Sequence, residues 1–145
     1  MSSNGQAPGQ LNGDNGVPTP GLNNYLSTLE NAVANYNVDP ATGKLSQADW
    51  FVTTDYDHLN GADKDIGSSG LALLDSSVFS GGGVKRIAVA AGKIARIIIM
   101  NADNLGGFKM GPNKTDGVLQ EIQLNPDNYA FFSGVASYPL EGGYI

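Results

Sequence analysis

Between Val84 and Phe132 the chain alternates short β-type runs with Gly, Asn, Pro and Asp breaks at close spacing, a rhythm that leaves room for little but antiparallel strands. The runs are residues 84–90, 94–102, 108–110, 118–124 and 129–132. The breaks between them hold Gly92, Asn104, Gly106, Gly107, Gly111, Pro112, Asn113, Gly117, Pro126 and Asp127. The expected fold is mainly β: a jelly-roll or immunoglobulin-like antiparallel β-sandwich over residues 49–145, preceded by an extended N-terminal arm and one short helix. The aromatic and β-branched run from Trp50 to Thr54 predicts its first strand, with further short strands at 71–74 and at Val78-Phe79. In 94–100 one face carries Ile94, Ile98 and Met100 and the other Ala95, Ile97 and Ile99, the pattern of a strand that is central or covered. In 118–124, Val118, Ile122 and Leu124 face inward and Leu119, Glu121 and Gln123 outward, so one face there meets solvent, although Gln120 falls on the inner side.

Residues 1–24 read as an arm rather than a domain, because more than half of these positions are Gly, Asn or Pro and Asp14 is the only charge. Fixing a backbone costs roughly 1–2 kcal/mol per residue, a cost the few apolar groups of this arm do not offset alone. Neighbouring chains would supply the difference. Fully extended, the arm reaches at most about 80 Å, with Leu11, Val17, Pro18, Pro20 and Leu22 as its anchors. The alternative is an arm folded back on its own domain. Over 25–36, Leu26, Leu29, Val33 and Tyr36 share one face at helical spacing, Asn24 or Ser27 offers a cap, and Asp39-Pro40 ends the run. This predicts a short helix, followed by a linker to about residue 48.

A chain of 145 residues with 41% hydrophobic content holds one core without help from metal or disulfides. Charged residues make up only 15%, against about a quarter in ordinary soluble domains. So few charges suggest that much of the surface meets other protein rather than water. A net charge of −6 and the lack of a basic stripe with interleaved aromatics argue against a nucleic-acid partner. Zero cysteines exclude thiol chemistry and disulfides. The longest apolar run, 97–100, predicts no membrane-spanning helix. The N-terminus has neither the basic nor the apolar region of a signal peptide, and assembly in the cytoplasm is expected.

Chemistry-bearing residues are sparse. The stretch 55–65 gathers Asp55, Asp57, Asp63, Asp65 and Asn60, which invites a calcium reading. Leu59 at the fifth position, Gly61 at the seventh and no Glu at the twelfth break the EF-hand pattern, so a solvated acidic loop is expected and no metal. His58 is the only histidine, and no G-x-S-x-G elbow offers it a nucleophile. Neither catalytic residues nor a cofactor are expected. The run Gly81-Gly82-Gly83-Val84-Lys85-Arg86 lacks the ending of a phosphate loop and reads as a flexible connection. Lys85, Arg86, Lys93 and Arg96, in a hairpin turning at 90–92, protect an edge strand or form a docking patch for an acidic partner. Tyr129, Phe131 and Phe132 are expected in the core rather than as a sugar platform.

The succession of 97–101, a strand ending in Asn, then Phe108-Lys109-Met110-Gly111, then Asp116-Gly117-Val118-Leu119 and Leu124-Asn125-Pro126-Asp127-Asn128-Tyr129 resembles small β-sandwich virion proteins of tailed bacteriophages. The likeness covers about a third of the chain, and many jelly-roll and immunoglobulin-like modules share its rhythm. It departs at Pro126-Asp127, where that pattern more often has a Gly. The resemblance implies a capsid decoration or cement protein, a homotrimer on the virion surface that clamps the major capsid protein and carries no active site. Leu11, Val17 and Leu22, with the terminal Tyr144 and Ile145, would then be its contact anchors. A glycan- or receptor-binding module of a fibre, tail or neck, using loops 104–107 or 113–117, is the alternative.

Overall fold

The computed structural model describes residues 31–124, 129–138 and 140. These form a mainly β body of two antiparallel sheets. β1 (Ala32–Val38) and β2 (Leu45–Val52) make a hairpin. β3 (Leu71–Leu73), β4 (Ile87–Ala91), β5 (Arg96–Asn101) and β6 (Gln120–Gln123) make a four-stranded sheet in which each strand pairs with its neighbour in sequence. Helix is confined to α1 (Tyr56–Gly61) and two short 3-10 turns, Ile66–Ser68 and Pro112–Lys114.

The first hairpin replaces the second half of the expected helix; the first half, 25–30, lies outside the described residues. Val33 and Tyr36 satisfy a helical spacing, but Ala32, Val33 and Ala34 find partners in Val52, Phe51 and Trp50 across an antiparallel ladder, and that pairing overrides a weak 3.6-residue pattern. The turn is built from side-chain chemistry. The Asp39 Oδ1 accepts the backbone N–H groups of Ala41 (2.8 Å) and Thr42 (3.3 Å), and Gly43 takes the left-handed conformation (φ 69°) that closes the loop. Asp39-Pro40 therefore turns a hairpin instead of ending a helix, and β2 begins five residues ahead of the strand expected at Trp50.

In the larger sheet β5 is central, as its two apolar faces require. Ile98 and Met100 are fully buried on the inner face and meet Val33 and Phe51 of the hairpin, together with Leu59, Ile66 and Leu105, in the main core. A second cluster of Ala32, Val52, Tyr56 and Phe108, flanked by Trp50, covers the other face of the hairpin, where Tyr56 and Phe108 pack edge to face at 5.7 Å. The hairpin is thus apolar on both sides at its base.

Several expected strands are not strands. Val78 and Phe79 lie in a turn that Asp75 organises, accepting Ser77 N–H at 2.9 Å through its carboxylate and Phe79 N–H at 2.8 Å through its carbonyl. At 108–110 a left-handed Lys109 (φ 55°) breaks the extension and sends Phe108 into the second cluster. Residues 129–132 run without ladder bonds, and Tyr129 and Phe132 are exposed rather than in the core. The glycine run is a tight turn rather than a flexible connection: Gly81 and Val84 exchange backbone hydrogen bonds of 3.1 and 2.8 Å around left-handed Gly82 and Gly83.

One buried polar residue ties these layers together. Asn31, fully buried and left-handed (φ 42°), donates from Nδ2 to Asn60 Oδ1 at 2.6 Å and accepts the Ile66 N–H on Oδ1 at 2.9 Å. It joins the start of the hairpin to α1 and to the turn ahead of β3. Replacing it by alanine orphans buried partners at roughly 1–3 kcal/mol each and removes the short polar side chain that makes asparagine tolerant of the left-handed region. Asn31→Ala is expected to lower stability by about 2–5 kcal/mol, read as a fall of about 5–15 °C in the thermal midpoint by circular dichroism; an unchanged midpoint would show that Asn31 does not join these layers.

Candidate partner interface

Among the described residues, large apolar side chains reach solvent singly at Leu73, Met110, Leu119 and Ile122 and in two groups. Val38 and Leu45 face each other across the end of the first hairpin and are 62% and 61% exposed, because the ladder extends beyond the part of the hairpin that the sheet covers. Tyr129, Phe132, Tyr138 and Leu140 form a second strip along the C-terminal segment, with Phe132 the most exposed at 72%. Neither was expected from the sequence. The hairpin tip has a signal, the turn run Asp39-Pro40-Ala41-Thr42-Gly43-Lys44 between β-capable residues, which fits a helix stop and a linker equally well.

Between these regions the outer face of the larger sheet carries Val89, Ile97, Ile99 and Ile122. The C-terminal segment crosses this face as a strap. Phe131 N–H donates to the Gly92 carbonyl at 3.1 Å, and Ser68 Oγ donates to the Phe131 carbonyl at 3.0 Å. Gly92 permits this junction, since a Cβ there would run into the Asp65 carbonyl oxygen and the Ile66 backbone. Strap and sheet enclose a cavity of about 320 Å³ walled by Phe131 and Val135. A smaller one of about 130 Å³ opens on the inner side, between Val33, Leu71, Leu73 and Arg86.

The four basic residues do not form one patch. Arg86 pairs with Asp103; Lys93 contacts Asp65 (2.6 Å) and Asp63 (3.2 Å); Arg96 binds Asp55 (2.8 Å) and approaches Glu121 (3.8 Å). Lys85 is exposed. The edge-protection reading is corrected too, because β4 and β5 lie inside the sheet and its edges are β3 and β6. The same ion pairs account for the acidic stretch. It holds α1, Asp55 and Asp65 turn to different cations, and among the described residues no group of three or more acidic or histidine side chains is placed to hold a metal ion. His58 lies exposed on α1. The expected anchors Leu11, Val17, Pro18, Pro20, Leu22, Tyr144 and Ile145 lie outside the described residues.

A carboxyl cluster that the sequence did not disclose sits beside Arg96. Asp116 accepts the Thr54 N–H at 2.7 Å and lies against Glu121. Burial, then the hydrogen bond and like charge of Glu121, push its carboxyl up to about 7, against the opposing pull of Thr54 N–H and Arg96. The parents of this cluster are 62 residues apart in the case of Thr54 and Asp116, so no local motif signals it.

The sign of the pH effect follows from a folded pKa above the ordinary 3.8. Between about 4 and 7 the folded chain binds a proton that the unfolded chain does not, so this group's contribution is full below the ordinary value and is lost as pH rises through about 7. The thermal midpoint of the wild type is expected to fall between pH 5 and pH 8. Asp116→Asn, which keeps an acceptor for Thr54 N–H and has no charge to set against Glu121, should flatten that slope and be the more stable protein at pH 8. Parallel wild-type and variant slopes over this range would refute the assignment.

The loops considered for glycan binding pack on each other. Gly106 meets the Gly117 backbone so closely that neither tolerates a Cβ, and the neighbouring aromatics Tyr56 and Phe108 are turned into the second core cluster. No helix among the described residues is long and apolar enough to cross a membrane. Comparison with protein-family models, with curated proteins and with solved structures gave no match.

Proposed function

We propose that this chain is a structural virion protein of the capsid decoration or cement class, which binds the major capsid lattice as a homotrimer and adds contact area rather than chemistry. The observation that carries this reading is the paired exposure of large apolar side chains, Val38 and Leu45 at the hairpin tip and Tyr129, Phe132, Tyr138 and Leu140 along the C-terminal segment. Exposed apolar groups rimmed by polar surface mark places that another protein covers. The low charge content points the same way, and much of that charge is spent on internal pairs at Arg86, Lys93 and Arg96. In this reading the β body is a jelly-roll or immunoglobulin-like sandwich, residues 1–24 reach over adjacent subunits with Leu11, Val17, Pro18, Pro20 and Leu22 as anchors, and Tyr144 and Ile145 add contacts at the other end.

The test is co-sedimentation of the full-length protein with undecorated capsids of the phage that encodes it. Saturable binding is expected. Val38→Thr with Leu45→Thr should weaken it about tenfold or more, the loss of about 1.4 kcal/mol or more of anchor contact, while leaving the thermal midpoint nearly unchanged because both positions are exposed and a facing Thr pair suits the ladder. Failure of the wild type to bind, or equal binding by the variant, would overturn the reading.

A further inference from the structure

We propose that the turn 109–117 is a pH-gated latch, held against the end of the first hairpin by Asp116 while that carboxyl carries its proton and released as it ionises. This concerns the free protein and does not rest on the decoration reading.

The turn is built to move as one piece. Its backbone closes on itself: Gly111 N–H donates to the Thr115 carbonyl at 2.9 Å, and Lys114 N–H to the Gly111 carbonyl and Thr115 N–H to the Pro112 carbonyl, both at 3.1 Å. A Cβ on Gly111 would strike the Asp116 carbonyl oxygen, so the two arms of the turn are pressed together. Its ends are Lys109, left-handed at φ 55°, and Gly117, where the backbone has the freedom to swivel. Asp116 fastens this piece to the hairpin by taking the Thr54 N–H at 2.7 Å. The Met110 side chain lies against both Gly107 and Gly117, and Gly107 also adjoins the Trp50 ring. Release therefore frees Met110 from Gly107 and opens the edge of the second core cluster at Trp50.

The charges around Asp116 supply the gate. Glu121 on β6 lies against it, while Arg96 on β5 already gives two bonds to Asp55, ahead of α1, at 2.8 and 2.9 Å and stands 3.8 Å from Glu121. On the turn itself, Lys109 Nζ lies over the Phe108 ring at 4.7 Å and Lys114 is exposed. Ionising Asp116 sets a further carboxylate beside a guanidinium that is already engaged, in a half-buried place. The Thr54 bond opposes release, since a carboxylate accepts an N–H more strongly than a carboxylic acid does. Burial and the like charge of Glu121 outweigh it and hold the carboxyl at about 7. An opened turn puts Asp116 in water, where its pKa returns toward the ordinary 3.8. The ratio of released to latched turn accordingly rises from about pH 4 and levels off above about pH 7.

The test is amide hydrogen exchange in the full-length protein, followed by NMR from pH 5 to pH 8. The Thr54 amide is expected to be about tenfold or more less protected than the Ile98 amide of central β5, and to lose about tenfold or more of its protection between pH 5 and pH 7.5. Equal protection at Thr54 and Ile98 would mean that the turn leaves only when the whole chain unfolds. Protection at Thr54 that does not change with pH would mean that the Asp116 proton does not hold the turn. Either result, obtained on the wild type, overturns the proposal. In Asp116→Asn the pH dependence at Thr54 should vanish. Its persistence there, or its loss in His58→Gln, would assign the gate to another group and overturn the proposal as well.

Discussion

A sheet whose central strand is apolar on both faces must be covered twice, and most of this architecture follows from that requirement. Ile98 and Met100 of β5 turn inward, Ile97 and Ile99 outward. The inner side is closed by the first hairpin through Val33 and Phe51. The hairpin is itself apolar on its far face, so it needs Tyr56 from α1 and Phe108 from the β5–β6 connection behind it. Backbone bonding reinforces this last layer: Gly107 gives its N–H to the Trp50 carbonyl and takes that of Val52, which satisfies the otherwise free edge of β2. The Asp49 carboxylate similarly takes the Leu105 N–H at 2.6 Å. The outer side is covered by the strap, and this cover leaves the larger cavity.

The few charges work mainly as fasteners. Lys93 in the β4–β5 turn holds Asp65, beside the turn that Asn31 also grips, and the bond to Asp65 raises the Lys93 ammonium above its ordinary pKa. Arg96 at the start of β5 holds Asp55, ahead of α1. Each pair joins the larger sheet to the 55–66 segment, so that segment is a clasp between sheet and hairpin. Both pairs are partly buried, so the cost of desolvating the charges offsets much of their attraction; their effect is to fix geometry. Asp116 is the exception, a carboxyl placed against another carboxyl, and its Thr54 bond fastens the loop ahead of β6 to the end of the hairpin strand.

The larger sheet was legible in the sequence because its β-branched runs are long enough, and bounded sharply enough by Gly and Asn, to specify strands locally. The central place of β5 followed from Ile97, Ile98, Ile99 and Met100 alone. Of the first hairpin only the end of β2, residues 50–52, was legible, since Ala32–Val38 contains small residues of ambiguous preference and becomes a strand through its partner, 45–52. Phe108 and Tyr129 were misassigned for a related reason: an aromatic residue favours burial and extension alike, and tertiary context separates the two. The carboxyl cluster was invisible because its members meet only after the chain has closed around β5.

The same elements that cover the sheet also present the exposed apolar groups. The hairpin buries Val33 and Phe51 at its base and exposes Val38 and Leu45 at its tip, and the strap places Phe131 over the larger cavity while its neighbour Phe132 faces solvent. A partner that engages either strip therefore binds an element on which the core depends. Binding of this kind draws only on the folded form and stabilises it by mass action, about 2.7 kcal/mol at a hundredfold excess over Kd. Stability and association are thus linked through the two covers, and the four-stranded sheet between them is the part that both protect.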